Sequence, residues 1–309
     1  MPDIKNIISC DWGTSSFRLR LVDINTEQVL SKVKDSEGIS VVNANWLSRD
    51  KPSSERKAFF LSVLKEKIKS LVGQNLEKTP VLISGMASSS IGIEELKYSN
   101  TPLSVSDLDL SYSKFYDDRD IYIFSGLSSE LDVMRGEETI ILGCDSSEEE
   151  LIILPGTHSK HVEVRNGSII DFKTFMTGEF FNILSTNSIL ANTVLKPEAM
   201  RLDNSYYQKG LEEGFVGNLL NLTFNTRTLG LLKAVSKEDC YHYLSGLLIG
   251  AELKSIPENT ACVHLVSEGN LLEIYTSALK VLNTSATVKA TDSGKAFVNG
   301  HLRLYKSLR

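Results

Sequence analysis

Cysteine is scarce in this chain: 309 residues carry only Cys10, Cys144, Cys240 and Cys262. They lie far apart, with no Cys-x-x-Cys and no histidine at finger spacing, so neither a zinc site nor a disulfide framework is indicated. We expect four buried thiols in a reducing cytoplasm. Long Lys/Arg blocks are also missing, and the net charge is −6. A general nucleic-acid or membrane surface is therefore not expected, because both partners are anionic. An anionic substrate would need locally placed cations. The first residues, Met-Pro-Asp-Ile-Lys-Asn, lack the apolar core of a signal peptide. The most apolar helix, around residues 243–253, is too short to cross a bilayer and reads as buried interior. What is present is 41% apolar and 23% charged residues, ordinary for one large or two medium globular domains with a sizeable core.

Residues 7–24 hold the first informative pattern. Phe17, Leu19 and Leu21 alternate with Arg18 and Arg20, and two β-rich runs flank a turn at Trp12 to Ser15, which predicts a hairpin with Asp11 near its tip. Gly13 lets the backbone approach a ligand, N–H groups from Gly13, Thr14, Ser15 and Ser16 can form an anion-binding concavity, and Asp11 is placed to hold Mg²⁺ directly or through water. An ordinary hairpin with a polar turn is the plainer alternative. A second copy of the pattern follows close to half a chain later: Leu151 to Leu154 runs into Pro155-Gly156-Thr157-His158-Ser159-Lys160 and out to Val164. Two related lobes, each with one phosphate-facing hairpin, would produce this repeat.

Between the hairpins, a third antiparallel strand is expected around residues 29–33, then a helix over 55–71 with an N-cap at Ser53 or Ser54 and a stop at Gly73. A buried strand over 79–84 delivers Gly85-Met86-Ala87-Ser88-Ser89-Ser90 at its carboxyl end, where open α/β sheets bind ligands. Gly85, Met86, Ser88 and Ser89 are candidate substrate contacts. After a strand over 121–124, Arg135-Gly136-Glu137-Glu138 opens an apolar helical run. Either acid is a helix-capping partner or a general base for an attacking hydroxyl. Past the second hairpin, Asn166-Gly167 signals a tight turn, and Thr177-Gly178-Glu179 starts a helix with Thr177 as N-cap, near the second hairpin. Ser236 with Asp239 predicts a capping box for a helix to about residue 254, whose Ser245, Gly246, Gly250 and Ala251 form a close-packing face. A strand over 262–266, a loop at Gly269 suited to a nucleoside base, a helix over 271–282, a strand over 286–289 and a helix from about 293 complete the reading.

Taken together, Asp11-Trp12-Gly13-Thr14, Met134-Arg135-Gly136-Glu137-Glu138-Thr139, Pro155-Gly156-Thr157-His158-Ser159-Lys160, Phe175-Met176-Thr177-Gly178-Glu179 and Ser245 to Glu252 resemble the motif set of the 2-dehydro-3-deoxygalactonokinases, in order and across nearly the whole chain. The resemblance implies the α/β fold of the sugar kinase, heat-shock protein 70 and actin superfamily: two ribonuclease-H-like lobes, mixed sheets with flanking helices, and ATP with Mg²⁺ in a cleft that closes around the substrates. It also implies γ-phosphoryl transfer to the 6-hydroxyl of a 2-keto-3-deoxy sugar acid. We expect lobes over residues 1–145 and 146–309, small-molecule partners only, and leave a homo-oligomer open.

Carried over by residue, Asp11 resembles the metal-associated acid of the first hairpin and Gly156-Thr157 resembles the second; Gly13, Thr14, Ser15, His158, Gly178 and Gly269 are the further candidate nucleotide contacts. Glu137 occupies the place of the base, with Glu138 and Asp11 as competitors. Lys160, Arg135 and Arg18 are the cations for the transferring phosphoryl group or the substrate carboxylate. Two departures stand out: His161 replaces a tryptophan, and Ile93 to Tyr98 replaces a stretch with an aromatic and Ala-Pro-Tyr. Both are expected near the sugar pocket. Another sugar-acid acceptor, or a non-catalytic nucleotide-binding or filament-forming protein, are the competing readings.

Overall fold

Alternation in the first hairpin becomes burial. In the computed structural model, which describes residues 4–49, 51–72, 76–146 and 149–308, β1 (Asn6–Trp12) pairs antiparallel with β2 (Phe17–Asp23), and β2 with β3 (Val29–Asp35). Phe17, Leu19 and Leu21 are buried while Arg18 and Arg20 are half-buried, as a strand with one covered face requires. The short α1 (Ile39–Leu47) follows. Helix α2 (Arg56–Lys69) turns Phe60, Leu61, Leu64 and Ile68 into the core. It is preceded by a 3₁₀ turn at Ser53–Glu55 and takes no side-chain cap bond from either serine. The expected stop at Gly73 lies outside the described residues.

All five residues of β4 (Val81–Gly85) are buried, since this strand runs parallel between β1 and a later strand. A 3₁₀ turn at Met86–Ser88 leads through the short strands β5 (Ser99–Asn100) and β6 (Leu103–Ser104) to β7 (Tyr112–Tyr116) and β8 (Asp120–Phe124). Then come β9 (Leu127–Ser128), β10 (Val133–Met134) and α3 (Glu137–Leu142). The first large sheet has the order β3-β2-β1-β4-β8-β7.

The second half repeats this plan. β11 (Glu149–Leu154), β12 (Ser159–Arg165) and β13 (Ser168–Phe175) form a meander, turning at Asn166 and Gly167, both at positive φ. Next come α4 (Thr177–Asn187), α5 (Ser205–Val216), α6 (Leu219–Lys233) and α7 (Lys237–Leu253). Strand β14 (Cys262–Ser267), α8 (Asn270–Val281), β15 (Thr287–Asp292) and α9 (Ser293–Ser307) end the chain. Here the order is β15-β14-β11-β12-β13, with β14 parallel to both neighbours. An antiparallel meander whose first strand continues into parallel strands therefore occurs twice, and this is the ribonuclease-H-like arrangement.

Two compact units result: Met1–Ser146 with Asn166–Asp171 and Ser293–Arg309, and Ser147–Arg165 with Phe172–Asp292. Within the first, Ser168 and Ile169 of β13 pair with Ser104 and Leu103 of β6. The last helix departs from the expected split at residue 145. It belongs with the first unit because α9 packs on α3 and β1 and buries His301 between Ser9 and Ser84. In the second unit, α5 and α7 cross at backbone contact: a Cβ on Gly250 would lie 2.2 Å from the Leu211 carbonyl oxygen, so the small face expected on α7 is filled by another helix. Ser236 caps α7 by accepting from the Asp239 N–H. Cys10, Cys144 and Cys240 are buried but Cys262 is only half-buried. Among the described residues no helix is long and apolar enough to cross a membrane.

Candidate functional site

Three chain segments converge around Gly85 in the first unit. Gly85 has φ +97°, and a Cβ there would lie 2.8 Å from the Trp12 carbonyl oxygen. Gly136, with φ +110°, would bring its own Cβ within 3.4 Å of the Gly85 Cα. Gly85 demands glycine by close approach and by its φ, Gly136 by a φ that L side chains avoid. The ends of β1 and β4 and the start of α3 are thereby held together.

On this frame Asp11 accepts from Arg18 Nη1 at 2.8 Å. Burial lifts the Asp11 carboxyl above its usual range; Arg18 and Arg20 pull it back, and Glu137 pushes it further up. Asp11 and Glu137 thus lie in one electrostatic neighbourhood. Gly13 donates its N–H to the Ser16 carbonyl at 2.9 Å, and the carbonyls of Gly13 and Thr14 accept from Ile39 and Ser40 at the start of α1. Thr14 and Ser15 remain exposed at the tip.

The paired acids separate sharply. Glu137 is half-buried, and one oxygen accepts from the Arg135 N–H at 3.0 Å. Glu138 has no exposed surface; it accepts from the Gly136 N–H at 2.7 Å and from the Thr139 hydroxyl at 3.2 Å. Desolvation first, and the neighbouring Glu137 second, push the Glu138 carboxyl up to about 7. The Thr139 hydroxyl shares its one proton between Glu138 and the nearer Ser84 Oγ, at 2.7 Å, and Ser84 lies 3.0 Å from His301 Nε2. Burial holds His301 down to about 3, a neutral ring. Arg135 donates to the Ser88 carbonyl and hydroxyl, both at 2.7 Å, and stacks 4.2 Å over Tyr98. Met86 and Ser89 flank this contact, with Ser89 bonded to the Met86 carbonyl at 2.7 Å. Tyr98, in the stretch that departs from the family pattern, therefore supports an expected site cation, a role that nothing in the sequence marks.

In the second unit the turn after β11 meets the start of α4. A Cβ on Gly178 would lie 2.6 Å from the Gly156 carbonyl oxygen, and Glu179 donates its N–H to the Thr157 carbonyl at 3.0 Å. His158 Nε2 and Glu179 Oε2 are 2.5 Å apart. Thr177 is not the N-cap: Met176 occupies that position, and the Thr177 hydroxyl donates to Glu252 instead. Lys160, 4% exposed, donates to the His158 carbonyl at 3.1 Å and so supports the turn from beneath. His161 is equally buried, 3.1 Å from Glu252 and packed on Phe175, rather than facing a pocket. Gly269, at φ +60°, precedes α8 and leaves open space where a Cβ would project.

A cavity of 340 Å³ opens beside this turn. Gly156, Thr177 and Gly178 line one end, Tyr241, Ser245 and Ile249 of α7 another, with Asn270 and Tyr275 of α8 and Lys196 to Met200 completing it. No motif or period in the sequence marks the segment 196–200 or Tyr241 as part of a site. Among the described residues no cluster of three or more His, Cys, Asp or Glu side chains could hold a metal alone. A Mg²⁺ carried largely by phosphate and water needs only one or two carboxylates, and Asp11 beside Glu137 fits that requirement.

Comparison with known proteins bears on these features. Residues 11–304 match the model of the family described as 2-keto-3-deoxy-galactonokinase. A protein of Escherichia coli (strain K12) named 2-dehydro-3-deoxygalactonokinase is 33% identical over 226 residues, 70% of this chain and 76% of its own length. One from Rhizobium meliloti (strain 1021), assigned the same name, is 30% identical over 93% of this chain and 92% of its own. A crystal structure from Sinorhizobium meliloti, also assigned as a 2-dehydro-3-deoxygalactonokinase, superposes with a TM-score of 0.84 at 29% identity, covering 98% of this chain and 96% of that one.

Proposed function

The chain belongs to the 2-keto-3-deoxy-galactonokinase family and is a kinase of that family, and on that premise we propose that it transfers the γ-phosphoryl group of ATP to the 6-hydroxyl of 2-dehydro-3-deoxy-D-galactonate. The observation that carries this reading is Glu137: a half-buried carboxylate oriented by the Arg135 N–H, beside Asp11, while its neighbour Glu138 is consumed by internal hydrogen bonds. Glu137 takes the proton of the acceptor hydroxyl as that oxygen bonds to the γ-phosphorus; the bond from phosphorus to the bridging oxygen breaks, and ADP leaves. Arg135, held by Ser88 and Tyr98, and Arg18 supply positive charge for the substrate carboxylate. In the second unit the turn Gly156-Thr157-His158 with Gly178 binds the phosphates and the 340 Å³ cavity takes the nucleoside; in the first, Thr14 and Ser15 are exposed at the hairpin tip and suited to a phosphate contact. Lys160 supports the second turn and adds its charge there.

Asp11 would hold Mg²⁺, directly or through water, and the ion would offset phosphate charge. Preorganised charge and positioning supply most of the rate enhancement in such transfers. On this account residues 1–145 and 146–309 act as an acceptor half and a nucleotide half, with α9 contributed to the first. The chain's four free thiols suit a reducing cytoplasm. Glu137→Gln should keep ATP affinity and lose about 10²-fold or more in kcat; near-normal turnover in that variant would remove Glu137 from the role of base.

A further inference from the structure

Glu252 closes the last of the family motifs with no role of its own read from the sequence, yet it joins the three helices that line the nucleotide cavity. It lies on α7, 3% exposed. One carboxylate oxygen accepts from the Thr177 hydroxyl at the start of α4 and from the Tyr275 hydroxyl of α8, the latter at 2.7 Å. The other faces His161 Nε2 on β12 at 3.1 Å. Tyr275 in turn lies 3.4 Å from Ser159 Oγ, which accepts the Gly156 N–H at 3.2 Å. Gly156, Thr177 and Tyr275 all line the cavity. Glu252 itself does not reach it.

We propose that Glu252 is a positioning residue for the nucleotide phosphates: its single carboxylate locks the second hairpin turn and the start of α4 to α7 and α8, fixing the phosphate-facing backbone relative to the nucleoside cavity. The proposal rests on the reading of that cavity as the nucleotide site. Three donors converging on one buried carboxylate make a rigid joint, because a buried charge tolerates loss of its partners poorly. The joint is tight on its outer side too, since Gly178 leaves no room between α4 and the Gly156 carbonyl. His161, standing where the family usually has a tryptophan, supplies the third donor. The departure thus belongs to the nucleotide side of the protein.

A purely structural hub and a phosphate-positioning joint differ in what they do to ligands with and without phosphates. The test is calorimetric titration of the full chain with adenosine, ADP and ATP, in wild type and in Thr177→Val, Thr177→Ser, Tyr275→Phe and Glu252→Gln. Thr177 is only half-buried, so its variants keep the fold even where Glu252→Gln does not. The expected result is ADP and ATP affinity reduced about tenfold in Thr177→Val and Tyr275→Phe, adenosine affinity within twofold of wild type, and recovery in Thr177→Ser. Unchanged ADP affinity in folded Thr177→Val and Tyr275→Phe, or equal losses for adenosine and ADP, would overturn the proposal alone. A wild-type chain that binds neither adenosine nor ATP would overturn the nucleotide assignment together with it.

Discussion

Burial is the main cost of charge on Asp11; Arg18 outweighs the smaller repulsion from Glu137, yet the carboxyl stays above its usual range. A divalent cation would offset the remaining cost. Asp11→Asn should therefore raise the Mg²⁺ concentration for half-maximal activity about tenfold, a change of roughly 1.4 kcal/mol, with the fold intact; an unaltered Mg²⁺ titration would detach Asp11 from the metal. Glu138 yields a prediction of another kind. Its folded carboxyl titrates near 7, above the ordinary range near 4.5, so between those values the folded chain binds the extra proton and stability falls as pH rises. Glu138→Gln removes this term while leaving an oxygen for the Gly136 N–H. The unfolding free energy of the variant relative to wild type should climb by on the order of 3 kcal/mol between pH 4.5 and 7, measured by urea unfolding across that range. A difference that stays flat with pH would mean that folding does not raise the Glu138 carboxyl. His301 contributes in the opposite sense: with its folded value near 3, it costs stability as pH drops below about 6.5. At this scale the sequence marks Asp11, Glu137 and the glycine-threonine turns as candidates, because glycine and carboxylate at fixed offsets leave a local pattern. The roles of Glu252 and Tyr98 left none: their partners are 23 to 91 and 37 positions away, in Tyr275, Thr177, His161 and Arg135.

The elements that were legible are those whose pattern is local. Strands β1, β2, β11 and β12 alternate or form short apolar runs, and α7 begins with its own cap at Ser236. Helix α6 shows the opposite case. Thr226 is its one buried position among the described residues, and Leu220, Leu231 and Leu232 are exposed, so no 3.6-residue apolar stripe announces it. Thr177 failed as a predicted cap for a similar reason: a hydroxyl at a helix start is indistinguishable in sequence from one spent on Glu252. The junction of α4 with the second turn is the element contact most sensitive to a single atom. Gly178→Ala should push the start of α4 off the Gly156 carbonyl and cost on the order of 10²-fold in kcat/KM for ATP, with a stability loss of about 1–3 kcal/mol. Steady-state kinetics at saturating sugar acid, paired with thermal unfolding, would check this; wild-type kinetics with ATP would mean that the backbone contact carries no positioning role.

Across the whole molecule, one plan occurs twice, in the order β3-β2-β1-β4-β8 and again in the order β13-β12-β11-β14-β15. The two Gly-Thr turns, about half a chain apart, are its visible trace in the sequence, and they make the doubled plan legible there. The assignment of α9 was not legible, because a helix at the end of the chain can return to either unit and only the packing around His301 decides. The family match covers residues 11–304, so the kinase assignment stands on nearly the whole chain, whereas the acceptor is our proposal. The most direct test of the account is ADP release with Mg²⁺ and ATP, comparing 2-dehydro-3-deoxygalactonate, its gluconate epimer, plain sugar acids and no acceptor. The account predicts ADP release that depends on the acceptor and prefers the galactonate derivative. Equal release with every acceptor, or none beyond the acceptor-free rate from folded protein that binds ATP, would contradict it.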